Sequence, residues 1–208
     1  MLESGVCMNR SHDETSEALL SAARRLLSEQ GPEALTVRRI AGEAGMSTMN
    51  VYSRFGGKDG VIDELYADGY RRLIEAIDEV PVDDDIPTEI LAVASAYRRF
   101  AIENPTYYGI MFRSAVPGFE PSPEAVEMAL GGLSNLVGRI RRGQESGQIA
   151  IEFETQSVAA WLWACCHGMV SFELDGVADD QLSWKQIYLY GVRAALSGVH
   201  PSVAVTRL

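Results

Sequence analysis

Residues 36–58, TVRRIAGEAGMSTMNVYSRFGGK, constrain the chain more than any other stretch, because they read as a helix, a tight turn and a second short helix. In the first helix Val37, Ile40, Ala41 and Ala44 stand at i, i+3, i+4 and i+7. That is one apolar face of a 3.6-residue period, and it has to pack inward. Gly45 falls where a left-handed turn residue is needed, and Ser47 is placed to cap the next helix by accepting a bond from an early backbone N–H. In the second helix Val51 and Phe55, one turn apart, form the core pair, which leaves Met49, Asn50, Tyr52 and Ser53 on the outward arc. Two short helices joined this way form a helix-turn-helix.

The outward arc has the chemistry of a DNA reader. A short helix whose N-terminal residues face out can enter the major groove, where the Asn50 amide can pair with adenine N6 and N7 and Met49 can touch a thymine methyl. Ser47 and Thr48 open the same helix and join the same candidate surface. Thr36, Arg38, Tyr52 and Lys58 would hold phosphates, fixing register without reading sequence. A helical hairpin that merely fills a core is the plain alternative, but it has no need of a polar arc of Ser, Thr, Asn and Tyr. Charge points the same way: Arg38, Arg39, Arg54 and Lys58 against Glu43 give the segment +3 in a chain of net −11, so everything outside it sums to −14. Such a chain cannot coat nucleic acid nonspecifically, which takes a broad basic surface, but it can carry a local reading head.

A chain of 208 residues, 47% of them hydrophobic, can bury a sizeable core or divide into a small and a larger helical domain. No apolar run of about 18 residues suggests a membrane span, and MLESGVCMNR lacks the basic start and apolar stretch of a signal peptide, so a cytoplasmic protein is expected. Three cysteines without CxxC spacing make no disulfide framework.

Helical periodicity continues on both sides of the hairpin. Residues 1–12 carry no pattern and read as a tail, with Cys7 and His12 too isolated for a metal site. Asp13 to Gln30 is a first helix with Leu19, Ala22, Ala23, Leu26 and Leu27 inward, stopped by Gly31 and Pro32. After Gly56 and Gly57, Lys58 to Glu79 forms a long connector in which Gly69 serves either close packing or a bend. PVDDDIP, 81–87, reads as a solvated acidic turn rather than a calcium loop. Thr88 is expected to cap a helix to Asn104, and Pro105 opens a short one. Ser122 and Pro123 start a helix to Ser146 with Val126, Leu130, Leu133, Val137 and Ile140 as its stripe. QIAIEFE, 148–154, could be extended. The last helices are expected over Thr155–Leu174, apolar nearly all round, and Asp179–Ser197, which carries Leu182, Ile187, Tyr190, Ala194 and Ala195; HPSVAVTRL is a tail. Two long C-terminal helices that cannot bury both faces alone suggest a four-helix bundle in a homodimer.

WLWACCHG, 161–168, is the stretch to inspect for catalysis. Consecutive helical residues diverge by about 100°, so Cys166 and His167 do not face each other, and Cys165, Cys166 and His167 do not make one metal site. With no triad spacing and no Gly-rich phosphate loop, neither an enzyme nor a cofactor is expected. Thiol sensing by Cys165 and Cys166 finds no basic neighbour to stabilise a thiolate. Trp163 and His167 do share a face. His167 is either a core histidine or a ligand contact, and Phe100, Tyr107, Tyr108, Met111 and Phe112 either pack or wall a pocket for a mostly apolar small molecule.

From Thr15 to Leu73 the runs AARRLLSEQG, TVRRIAGEAGMS, VYSRF and GGKDGVI resemble the tetracycline-repressor-like (TetR) family of bacterial transcriptional regulators. WACCHG resembles the Trp and His-Gly signature of one class of that family's C-terminal domains. The resemblance implies an all-α homodimer, with a helix-turn-helix domain over 1–57 and a connector, effector-binding and dimerisation domain over 58–208. It carries phosphate contact to Tyr52 and Lys58, and base contact to Thr48, Met49 and Ser53. Met49, where a small residue is common, and Arg54, where His or Tyr is common, depart from the pattern, so no operator sequence transfers. The expected function is a regulator, a repressor released from a pseudo-palindromic operator by a small effector. A helical ligand-binding protein or enzyme without DNA binding, or a thiol-sensing regulator, is the alternative.

Overall fold

Every segment with a 3.6-residue apolar period becomes a helix, and the computed structural model, which describes residues 13–177 and 182–202, contains no strand among them. The elements in order are α1 (Glu14–Gln30), a 3-10 turn (Pro32–Ala34), α2 (Val37–Glu43), α3 (Thr48–Phe55), α4 (Lys58–Asp78), α5 (Ile86–Glu103), α6 (Pro105–Phe112), α7 (Pro123–Glu145), α8 (Thr155–Leu174) and α9 (Trp184–Gly198). The chain divides into two compact units, one of residues up to Leu65 with Ala115–Glu120, the other of Tyr66–Ser114 and Pro121 onward. The division falls inside α4, between Leu65 and Tyr66.

In the first unit α1 buries Leu19, Leu20, Ala22, Ala23, Leu26 and Leu27 against Ile40 and Ala41 of α2 and Val51 of α3. Asp13 caps α1 by accepting from the Ser16 N–H at 2.8 Å and also holds Arg54 of α3 at 2.8 Å. Arg25 of α1 reaches Glu43 of α2 at 3.1 Å. Gly60 is required at the α3–α4 corner, because a Cβ there would lie 1.8 Å from the Phe55 carbonyl oxygen.

The second unit has its core where α5, α7, α8 and α9 meet, around Ile86, Ile90, Ile140, Ile149, Leu162 and Ala195. One buried ion cluster sits beside it. Glu89 accepts from Arg139 Nε at 2.8 Å, from the Asp83 N–H at 3.1 Å and from Arg142. Burial alone would raise the Glu89 carboxyl, yet the Asp83 N–H and the two guanidiniums hold it below its ordinary value.

Several boundaries differ from the periodicity. Asp85, not Thr88, caps α5: its carboxylate accepts from the Thr88 N–H at 3.3 Å and the Thr88 hydroxyl at 2.9 Å, which starts the helix at Ile86. The acidic turn is thus a cap in which the Asp83 carboxylate also accepts the Asp85 N–H at 2.8 Å. QIAIEFE is turns rather than extended chain, tied down by the Ala150 N–H to the Val199 carbonyl at 2.8 Å. Gly69 serves close packing, since a Cβ there would lie 2.6 Å from Met111 Sδ. Val126 and Leu130 of the α7 stripe are exposed, as are Leu182 and Tyr190, while Tyr188 and Val192 are buried residues of α9. Residues 1–12, including Cys7 and His12, residue 179, the expected start of the last helix, and 203–208 of the C-terminal tail lie outside the described residues.

Candidate functional site

The reading head is built by the turn between α2 and α3. Gly45 adopts φ +68°, the Met46 N–H returns to the Ala41 carbonyl at 2.8 Å, and α3 starts again after Ser47. Ser47 holds the cap position without a side-chain cap bond; its hydroxyl instead accepts from Asn50 Nδ2 at 3.4 Å. Thr36 does cap α2, accepting from the Arg39 N–H at 3.3 Å, and its hydroxyl hydrogen stays available to a phosphate.

Val51 is buried and Phe55 half-buried, so the opposite arc of α3 faces water. Met49 is 70% and Tyr52 55% exposed, with Thr48 and Ser53 also exposed. Asn50 is half-buried and engaged twice, its Oδ1 accepting from Arg54 at 3.2 Å and its Nδ2 donating to Ser47. Arg54, anchored on Asp13, therefore braces Asn50. Arg38 is exposed with no ion pair among the described residues, and Lys58 has only Asp59 at 3.9 Å.

The second unit contains a cavity of about 210 Å³ walled by α4, α5, α6, α7, α8 and α9. Tyr70, Leu73 and Ile77 come from α4; Ile90, Val93, Ala94 and Tyr97 come from α5 at i, i+3, i+4 and i+7. Phe112, Leu133, Asn135, Trp163 and Cys166 complete most of the wall. Leu130, in the wall and 62% exposed, marks a mouth to solvent.

Of the seven residues expected around an effector, Phe112 and Trp163 line this cavity. Tyr108 and His167 stand one layer behind it, since the hydroxyl of Tyr97 in the wall lies 3.2 Å from His167 Nδ1 and that of Tyr108 2.7 Å from it, both at hydrogen-bond distance. Burial, with the Arg113 charge second, lowers the His167 pKa, which favours the neutral imidazole. His167 also packs among Tyr108, Phe112 and Trp163, with ring centroids 5.5, 5.1 and 5.7 Å away. Phe100, Tyr107 and Met111 are buried elsewhere: Tyr107 bonds to Asp68 of α4, and Met111 covers Gly69. Tyr97 and Asn135 were missed. The α5 stripe with the small Ala94 at its centre was the available signal for the first; the second stands alone on α7 and has none.

Among the described residues no group of three His, Cys, Asp or Glu is arranged to hold a metal, and no helix is long and apolar enough to cross a membrane. Cys166 is buried, which pushes its thiol up to about 11, away from thiolate chemistry.

Comparison with known proteins gives one answer for both units. Residues 19–65 match the family described as bacterial regulatory proteins, tetR family, and residues 90–194 match the tetracyclin repressor-like C-terminal domain. The chain is 27% identical over 187 residues to the HTH-type transcriptional regulator Rv1816 of Mycobacterium tuberculosis, covering 86% of this chain and 77% of that protein. Its fold is shared by a Rhodococcus sp. RHA1 protein of unknown function (TM-score 0.79, 21% identity, 93% and 99% of the two chains). The fatty acid degradation regulator FadR of Bacillus halodurans shares it too (TM-score 0.75, 16% identity, 91% and 98%). With a reading head at its N-terminus and the family's C-terminal domain behind it, the chain belongs to the TetR family and is a DNA-binding transcriptional regulator.

Proposed function

We propose that this regulator is a repressor that binds a pseudo-palindromic operator as a homodimer and leaves it when a small apolar effector fills the second unit's cavity. One observation carries the reading: α4, which begins at Lys58 beside the reading helix, ends with Tyr70, Leu73 and Ile77 in the cavity wall. A ligand that fits the cavity in only one position of α4 changes the population of that position, and equal affinity for both would change nothing.

On the DNA, Thr48, Met49 and Ser53 touch bases, while Thr36, Arg38, Tyr52 and Lys58 hold phosphates and Ser47 sets the start of the helix. Asn50 reads a base only by giving up its bonds to Ser47 and Arg54. Dimerisation uses α8 and α9, whose exposed Trp161 (43%), Phe172 (55%) and Tyr190 (65%) are apolar surface a monomer leaves in water. Two heads on a two-fold axis then meet half-sites about 34–36 Å apart, or a multiple.

Release is tested with a fluorescent operator duplex and a panel of small apolar compounds. A compound that lowers anisotropy with the wild type, but not with a Gly132→Leu variant whose cavity is filled, supports the mechanism. Release that survives the filled cavity contradicts it.

A further inference from the structure

The effector role proposed for the second unit's cavity requires a way in and out, and a gate that rests on that reading lies in α7. The helix is anchored unevenly. Its second half buries Arg139, Ile140 and Gly143, and Leu133, Leu136 and Val137 pack against the core around Ile86 and Ile140. Gly143 is required there, since a Cβ would lie 2.7 Å from Ile149 Cδ1. Ahead of Leu133 the one buried residue of the helix is Ala125. This loosely held stretch is nevertheless part of the cavity wall: Ala129, Leu130 and Gly132 line it, and Leu130, 62% exposed, stands at the mouth.

Gly131 and Gly132 stand where the two halves meet. Neither has a positive φ. A Cβ at Gly131 would meet nothing within 4 Å, and one at Gly132 only Ile74 at 3.9 Å. The straight helix therefore needs glycine at neither position, by packing or by backbone conformation, while each glycine weakens the helix about fivefold relative to alanine. Ahead of the pair the chain makes a complete helix start, with Pro123 in the first turn and Ser122 Oγ accepting from the Ala125 N–H at 3.2 Å. We infer that residues 123–130 are the door of the cavity, swinging on Gly131 and Gly132 to admit and discharge the ligand. Opening takes Ala129 and Leu130 out of the wall and leaves the core around Ile86 and Ile140 intact. Because the door is shut both with and without ligand, it sets the rates of entry and exit and not the affinity.

The probe is 1-naphthol, an uncharged fluorescent two-ring molecule: an apolar cavity of about 150 Å³ holds benzene, and this one has about 210 Å³. Stopped-flow fluorescence with the full-length protein gives its association and dissociation rates. Gly131→Ala should slow both about fivefold and leave their ratio unchanged. Gly138→Ala is the control. A Cβ there would also meet nothing within 4 Å, so it gains the same helix propensity, but it stands between Val137 and Arg139 in the seated half and should leave both rates as in the wild type. Without ligand, amide hydrogen exchange should be faster over 127–132 than over 140–145. Unchanged rates in Gly131→Ala, equal slowing by Gly138→Ala, or equal protection of the two stretches overturns the door and leaves the cavity standing as a site. No binding of naphthol by the folded protein, or binding undiminished in Gly132→Leu, overturns the cavity reading and the door with it.

Discussion

Replacing Glu89 by Gln should destabilise the second unit by about 3 kcal/mol, and the geometry says why an isosteric change costs so much. Glu89 is 1% exposed and accepts on both oxygens, Oε1 from Arg139 and Oε2 from the Asp83 N–H and Arg142. A Gln amide must place its NH2 at one of these positions, so a donor faces a donor whichever way it turns. With the NH2 turned to Arg139, that guanidinium, 9% exposed, is left with only the Asn135 carbonyl at 3.5 Å; turned the other way, the NH2 meets the Asp83 N–H, while the Arg142 side chain, 38% exposed, can turn to water. Removing one partner of a buried ion pair costs about 3–5 kcal/mol, and the surviving neutral bond places this change at the low end. Urea unfolding at fixed protein concentration measures it, since a dimer's stability depends on concentration. The pH dependence supplies a second check. Because the folded carboxyl lies below its ordinary value of 4.5, the wild-type advantage is complete above that pH and shrinks as pH falls toward the folded value. A loss under about 1 kcal/mol at pH 7, or a wild-type advantage that does not shrink in acid, would refute the reasoning.

Other expectations concern the head. Gly60→Ala places a Cβ on the Phe55 carbonyl, so it should cost about 3 kcal/mol and weaken every DNA complex; unchanged melting and binding would contradict the corner geometry. Lys58→Ala should weaken binding to all duplexes alike and lower the salt slope by about 1, while a changed sequence preference would remove Lys58 from the phosphate set. Met49→Ala should relax preference at one or two operator positions, read by sequencing of selected fragments, and an unchanged preference there would take it off the base-reading surface. Sedimentation at micromolar concentration should show a dimer that Trp161→Glu and Tyr190→Glu weaken; a wild-type monomer would undo the α8–α9 interface.

What the sequence disclosed depended on whether a signal was local. The head was legible almost completely, because Gly45, Gly56 and the Val51–Phe55 spacing act over one or two turns. Helix capping was less so: Asp85 and Thr88 are three residues apart and both can cap, and which one does is decided by the Asp85 carboxylate reaching the Thr88 N–H and hydroxyl. Ser47 shows the same limit, its hydroxyl going to Asn50 instead of the helix. The cavity was legible only in part. Phe112 and Trp163 announce themselves as large apolar residues, but Tyr107 and Met111 look identical in sequence and face α4 instead, as their contacts with Asp68 and Gly69 show. Asn135 of the cavity wall carries no sequence signal, since a single amide on α7 looks the same whether it faces a cavity or water.

The central claim, a dimeric sequence-specific reader, is tested most directly by selecting bound fragments from a random duplex pool at near-physiological salt and sequencing them. An enriched inverted repeat with half-site centres about one helical turn or a multiple apart is the predicted result. No enrichment at any salt, from a folded dimer, would contradict it.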